Sequence, residues 1–193
     1  MSLKYALLGF LNYADMTGYE LKQHFDSSIQ HFWNAKLSQI YPALSQMEKD
    51  GLLVMEVEYQ EQRPNRKVYK ITAAGRQELK RWVGTTMELQ SVREAFLVQV
   101  FFMAQLDRES ALGVMRHQLE QYRKRLENYH LFKKSFSEVV PAEVFKEDAV
   151  FWELTLDAGI KYGTAAVEWV EEAIEKIKGM ERVKGGLEVS HDG

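Results

Sequence analysis

Apolar residues recur three and four apart through most of this chain, and they alternate with polar ones in only one region, between residues 53 and 71. Leu3, Leu7, Leu8 and Leu11 make the first helical stripe and predict a helix over residues 2–12. Thr17-Gly-Tyr-Glu20 has the form of a capping box, so a second helix opens there and runs to about Gln30 with Leu21, Phe25 and Ile29 inward. Phe32-Trp33-Asn34 makes a corner. Leu37, Ile40, Leu44 and Met47 then fall at i, i+3, i+7 and i+10, a third helix that Gly51 closes as a C-cap. Period two takes over next: Met55, Val57 and Tyr59 alternate with Glu56 and Glu58, and Tyr69 and Ile71 flank Lys70 on a return strand. Thr72 is placed to cap a fourth helix from Ala73 to about Val83. Three helices, a hairpin and a helix, in that order, are the layout of a winged helix-turn-helix.

Beyond residue 85 the periodicity is helical throughout. Met87–Gln105 is dense in apolar residues, and Asp107 caps a long helix carrying Leu112, Met115, Leu119, Tyr122, Leu126 and Tyr129. A break is expected at Val140-Pro141. The last helix, from about Glu147 to Lys178, carries Leu156, Ile160, Gly163, Val167, Val170, Ile174 and Ile177. A sustained period near 3.5 indicates coiled-coil-like packing, and Gly159 and Gly163 let a partner helix come close. The expected fold is therefore mainly α with a small β-hairpin: a winged helix-turn-helix domain over residues 1–85, an all-α dimerisation domain over 86–184 and a disordered tail over 185–193. Leu119, Leu126, Leu156, Ile160, Gly163, Val167, Val170 and Ile174 are the expected dimer interface. Should that stripe serve only the intrachain core, the first helix and Met87–Gln105 remain as dimer surfaces.

Charge sharpens this division. The whole chain carries a net −3, but residues 1–85 hold 11 Lys+Arg against 9 Asp+Glu, and residues 86–193 hold 14 against 19. The basic surplus thus lies in the hairpin-bearing half, the half expected to meet a polyanion. With no cysteine, the chain has no disulfide, thiolate zinc site or cysteine nucleophile, in keeping with a reducing, cytoplasmic setting. Leu3–Leu11 lacks the basic flank and cleavage site of a signal peptide, and no apolar run approaches membrane-spanning length, so no membrane partner is expected.

The candidate chemistry lies on the third helix and the turn after it. Opposite the apolar stripe that helix presents Ser38, Gln39, Tyr41, Pro42 and Ser45, with Lys36 at its start and no acid before Glu48. Short polar groups without carboxylates suit a surface that must approach phosphates and base edges of duplex DNA. With an N-cap near Ser38, Pro42 would fall in the first turn, where its missing N–H is harmless. The turn Gln60–Lys67 contributes Arg63, Asn65, Arg66 and Lys67 as phosphate or minor-groove contacts, where the plain alternative is a solubilised loop.

The segments Leu7-Leu-Gly-Phe-Leu11, Thr17-Gly-Tyr-Glu-Leu21, Ile40-Tyr-Pro-Ala-Leu44, Glu48-Lys-Asp-Gly-Leu52 and Tyr69-Lys-Ile-Thr-Ala-Ala-Gly-Arg76 together resemble the PadR family of bacterial transcriptional regulators. They cover nearly all of residues 1–85, and the helical remainder resembles the larger subclass by length and helix pattern. The resemblance implies a homodimeric repressor on two-fold symmetric operators, in several cases responsive to small aromatic compounds. Phe96, Phe101, Trp152, Tyr162 and Trp169 are candidates for lining such an effector pocket, although aromatics at helical spacing more often form plain core. A winged helix used only for protein–protein assembly is the rival reading, and the basic turn and acid-free helix face count against it.

Neither metal, cofactor nor enzymatic activity is expected. His24 and His31, seven apart, lack a third ligand, and His117 and His130 are too far apart on one helix to share an ion. There is no Gly-rich phosphate loop, no H-E-x-x-H pair and no serine elbow.

Overall fold

Leu7, Leu8 and Leu11 are buried to within about a hundredth of their surface, and their burial draws Ser2–Tyr13 into helix α1. The computed structural model describes residues 2–29, 32–60, 65–89, 91, 93–139 and 146–180, with backbone alone over 135–139 and at 146. Helix α2, Gly18–His24, opens on the expected capping box: the Glu20 amide donates to Thr17 Oγ1 at 3.2 Å and the Thr17 amide to Glu20 Oε2 at 2.8 Å. Regular helix ends sooner than its periodicity suggested. Phe25–Ile29 is a wider π-helical turn in which the Ser27 and Ser28 hydroxyls both donate to the His24 carbonyl. Serine side chains that bond the backbone locally compete with the regular ladder, and the wider turn still buries Phe25 fully.

Helix α3 covers Leu37–Lys49 and buries Ile40, Leu44 and Met47, with Leu37 half-buried at the entry. It ends in a Schellman motif: the Leu52 amide donates to the Met47 carbonyl at 2.9 Å and the Gly51 amide to the Glu48 carbonyl at 3.0 Å. Gly51 takes φ +70°, the left-handed conformation that this motif requires.

The sheet departs from the two-stranded expectation. Strands β2 (Leu53–Glu58) and β3 (Arg66–Ile71) form the hairpin, and a two-residue strand β1, Met16–Thr17, pairs antiparallel with β3, giving the order β1-β3-β2. Two residues are too few for alternation to show, and Thr17 serves at once as strand end and helix cap. The register pairs Glu58 with Arg66, Val57 with Lys67, Glu56 with Val68 and Met55 with Tyr69. Leu53 is buried and Met55 half-buried, but Val57 is 39% and Tyr59 85% exposed, because the hairpin extends beyond the core it starts from.

Helix α4, Ala73–Val83, is capped by Thr72 and packs on α1. The Tyr5 ring stacks on Trp82 with centroids 4.4 Å apart. Glu78 accepts from Lys4 Nζ (3.0 Å), the Tyr5 hydroxyl (2.9 Å) and Arg81. Those donors, Lys4 first, then Arg81 and Tyr5, lower its pKa to about 2.

The chain divides into two compact units, Met1–Ser91 and Val92–Gly193, where the composition placed a boundary near residue 85. The second unit holds α5 (Ala95–Phe101), a 3-10 turn (Met103–Gln105), α6 (Arg108–Val139) and α7 (Lys146–Gly179). Asp107 caps α6 as expected, accepting the Ser110 amide at 2.9 Å. Val140 and Pro141, at the expected break, and the expected tail 185–193 lie outside the described residues.

The sustained stripes of α6 and α7 face each other inside one chain, so most of the surface expected at a dimer interface is used within the chain. Leu119, Leu156, Gly163, Val170 and Ile174 are buried in the intrachain seam, and Leu126, Ile160 and Val167 are half-buried there. The close approach at the two glycines is likewise intrachain: a Cβ on Gly159 would lie 2.9 Å from the Tyr129 ring, and one on Gly163 3.2 Å from Leu126 Cδ1. Period 3.5 reports a helix partner without saying whether it is in the same chain. Among the described residues no helix is long and apolar enough to cross a membrane.

Candidate nucleic-acid interface

One face of α3 is a continuous polar surface. Lys36, Ser38, Gln39, Tyr41, Pro42, Ser45 and Gln46 are all exposed, and no carboxylate stands among them. The helix starts earlier than its composition suggested: Lys36 is the N-cap, so Pro42 sits in the second turn. There it deprives the Ser38 carbonyl of its intrahelical donor. The first turn presents backbone amides and the positive end of the helix dipole beside Lys36, an arrangement suited to a phosphate.

Gln39 has a second task. Its Oε1 accepts the Lys36 amide at 3.0 Å, half of a capping box, which holds the side chain against the helix start and leaves its NH₂ as a donor. Tyr41 is anchored on one side. Its ring lies so near Gly18 of α2 that a Cβ there would fall 2.5 Å from Tyr41 Cε1, yet 45% of the residue stays exposed between Ser38 and Ser45. Ser38 and Ser45 are exposed on the face, and Gln46 Nε2 donates to Asp50 Oδ1 at 2.8 Å.

The hairpin divides its cations. Arg63 lies outside the described residues. Asn65 Oδ1 accepts the Gln60 amide at 3.3 Å and so helps close the base of the turn. Arg66 forms an ion pair with Glu20 of α2 and stands 4.0 Å from Glu58. Lys67 is exposed, on the opposite face of the strand, and has no ion-pair partner among the described residues. Lys70 is bridged to Glu56 at 2.7 Å and Asp15 at 3.6 Å, which raises its pKa. The pKa of Glu20 is lowered, first by the Thr17 amide and further by Arg66.

Sequence reasoning missed Gly18 and Glu20 as supports of this surface. The capping box was visible in Thr17-Gly-Tyr-Glu20, but nothing local shows that Tyr41 rests on the glycine or that Arg66, 46 residues away, pairs with the glutamate. Of the five aromatics expected near an effector, Phe96 and Trp169 come together. Phe96 is buried edge-on to Trp169 (6.0 Å) and Tyr122 (6.5 Å), while Phe101 and Tyr162 are 80% and 78% exposed and Trp152 is half-buried.

Comparison with known proteins accounts for both units. Residues 7–81 match the Transcriptional regulator PadR-like family, and residues 92–178 match the Virulence activator alpha C-term family. The negative transcriptional regulator PadR of Bacillus subtilis is 27% identical over 91% of this chain and 97% of its own length. Its crystal structure in complex with operator DNA superposes with a TM-score of 0.80 at 26% identity, covering 92% of this chain and 99% of that one. A second structure, in complex with p-coumaric acid, does so at 0.75 and 25%, covering 92% and 96%. The virulence activator AphA of Vibrio cholerae has a TM-score of 0.73 at 25% identity, covering 93% of this chain and 99% of that one. A probable transcriptional regulator of Mycobacterium tuberculosis is 30% identical over 92% of this chain and 98% of its own length. A winged helix followed by a two-helix seam, matched over nearly the whole length of such relatives, means that this chain belongs to the PadR-like family of transcriptional regulators.

Proposed function

We propose that this regulator is a repressor that binds duplex DNA as a homodimer, one α3 per subunit in successive major grooves of a two-fold symmetric operator. The observation that carries the reading is the exposed, carboxylate-free face of α3 from Lys36 to Gln46. Ser38, Gln39, Tyr41 and Ser45 would meet base edges and sugar-phosphate, and Lys36 and Lys67 would meet phosphates. Two-fold pairing would set the half-sites about 34 Å apart. Similarity to an operator-binding relative described as a negative regulator supports repression.

Exposed apolar surface on α5 supports the dimer. Leu97 (45%), Val98 (59%) and Phe101 (80%) stand out from one side of that short helix, and Phe102 (60%) follows it. Clusters of that kind on a soluble protein mark contact surfaces. A small aromatic acid is the proposed effector class, from the relative bound to p-coumaric acid.

Fluorescence polarisation on duplex from the protein's own promoter, with a scrambled duplex of equal length as control, tests the reading. The expected result is at least a hundred-fold preference for promoter DNA at physiological salt, weakened by p-coumarate. Equal, weak binding to both duplexes would sink it and favour a role in protein assembly. A promoter–reporter strain with the gene deleted fixes the sign: reporter output should rise.

A further inference from the structure

We propose that Arg66 is a positioning residue: with Glu20 it clamps the hairpin to the start of α2 and sets where Lys67 meets DNA, and it does not itself bind phosphate. The first reason is its surroundings. Arg66 lies between two carboxylates, paired with Glu20 and 4.0 Å from Glu58, so its charge is already answered within the protein. A phosphate approaching that guanidinium would also be repelled by two nearby carboxylates.

The second reason is strand geometry. Successive residues of β3 point to opposite faces, and the register places Arg66 opposite Glu58 and Lys67 opposite Val57. The two cations therefore cannot grip one phosphate together, although they are neighbours in sequence. Lys67 is the exposed member without an ion-pair partner among the described residues.

The third reason is what Glu20 holds. One oxygen accepts the Thr17 amide and completes the cap of α2, while the other accepts from Arg66. Thr17 also ends β1, which pairs with Val68 of β3. One carboxylate thus links the α2 cap, the edge strand and the hairpin, fixing the hairpin relative to α2, on whose Gly18 Tyr41 of the α3 face rests. This role rests on the DNA-binding reading above, but the clamp itself does not.

The test uses full-length protein with Arg66→Gln, Glu20→Gln, their combination and Lys67→Gln. Glu20→Gln keeps an oxygen for the Thr17 amide and puts an NH₂ in place of the oxygen that faces Arg66, so it removes both the charge and the acceptor there. Binding is measured against promoter and scrambled duplex over a salt series, and wing order by amide hydrogen exchange of residues 67–69 without DNA. The expected result is that Arg66→Gln and Glu20→Gln each weaken promoter binding about three- to ten-fold. The double variant should be no weaker than the worse single, and the salt dependence should be unchanged. Lys67→Gln should flatten the slope by about 1.8, the loss of one phosphate contact per subunit at about 0.9 each. Exchange at residues 67–69 should quicken at least five-fold in both clamp variants. The proposal is overturned if Arg66→Gln flattens the slope as Lys67→Gln does, if Glu20→Gln tightens binding, or if exchange is unchanged in both. Should the wild type bind neither duplex, the DNA reading fails and exchange alone decides the clamp. Should Glu20→Gln not fold, Arg66→Gln decides it by slope and exchange.

Discussion

Gly18→Ala is the most direct probe of how the recognition face is held. A methyl group added at Gly18 would lie 2.5 Å from Tyr41 Cε1, 2.8 Å from Cζ and 3.2 Å from Cδ1. Carbon atoms in good contact sit about 3.5–4.0 Å apart, so the overlap is roughly 1 Å against one edge of the ring. Overpacking of that size costs about 1–3 kcal/mol. Two effects reduce it. Alanine is the better helix former by up to about 1 kcal/mol in a helix interior, and less than that in the first turn, where residue 18 lies. Tyr41 is 45% exposed, so its ring can swing toward solvent. The net expectation is a loss of about 1–2 kcal/mol, with the displaced ring now obstructing the surface between Ser38 and Ser45. Urea titration followed by circular dichroism measures the stability, and polarisation on promoter DNA measures the binding, expected to fall about ten-fold. The control is Tyr41→Ala. In that background the ring is gone, so Gly18→Ala should be neutral or slightly stabilising. An equal loss in both backgrounds, or no loss in the wild type, would refute the contact as the cause.

Gln39→Ala should cost about 0.5–1 kcal/mol of stability through the lost Lys36 amide contact. It should also weaken promoter binding more than scrambled DNA, by about 1 kcal/mol per half-site, the low end for a base contact because Oε1 is engaged by the Lys36 amide; equal losses on both duplexes would limit Gln39 to capping. Val170→Asp buries a carboxylate at a position with no exposed surface and should unfold the second unit, whereas Phe101→Asp should leave a folded monomer by light scattering. A Phe101→Asp dimer at micromolar concentration would remove α5 from the interface. Glu78, with a folded pKa of about 2 below its ordinary value of 4.5, stabilises the α1–α4 contact fully above pH 4.5. That contribution is lost as pH falls through 2, so the melting-temperature gap between wild type and Glu78→Gln should narrow between pH 4.5 and 2; a gap that does not change with pH would contradict it.

Much of the first unit could be read along the chain because its signals are local. The spacing of Ile40, Leu44 and Met47, the Thr17–Glu20 cap and the Gly51 stop each act within a dozen residues, so period and capping chemistry suffice to place α2 and α3. The exposed face of α3 follows directly, since whatever is not on the buried stripe must face outward. Strand β1 escaped because two residues carry no period, and the π-helical turn at Phe25–Ile29 because hydroxyls, not apolar spacing, reshape it.

What only tertiary structure decided is partnership. The stripes of α6 and α7 were legible, yet apolar area is non-directional, and burial within the chain satisfies it as well as burial between chains. Arg66 and Lys67 look alike in sequence; one is neutralised by Glu20 only because folding brings residues 20 and 66 together. Gly18 became necessary for the same reason, when the tyrosine of another helix came to rest on it. Periodicity records how much surface a segment must bury, and the three-dimensional arrangement alone determines against what.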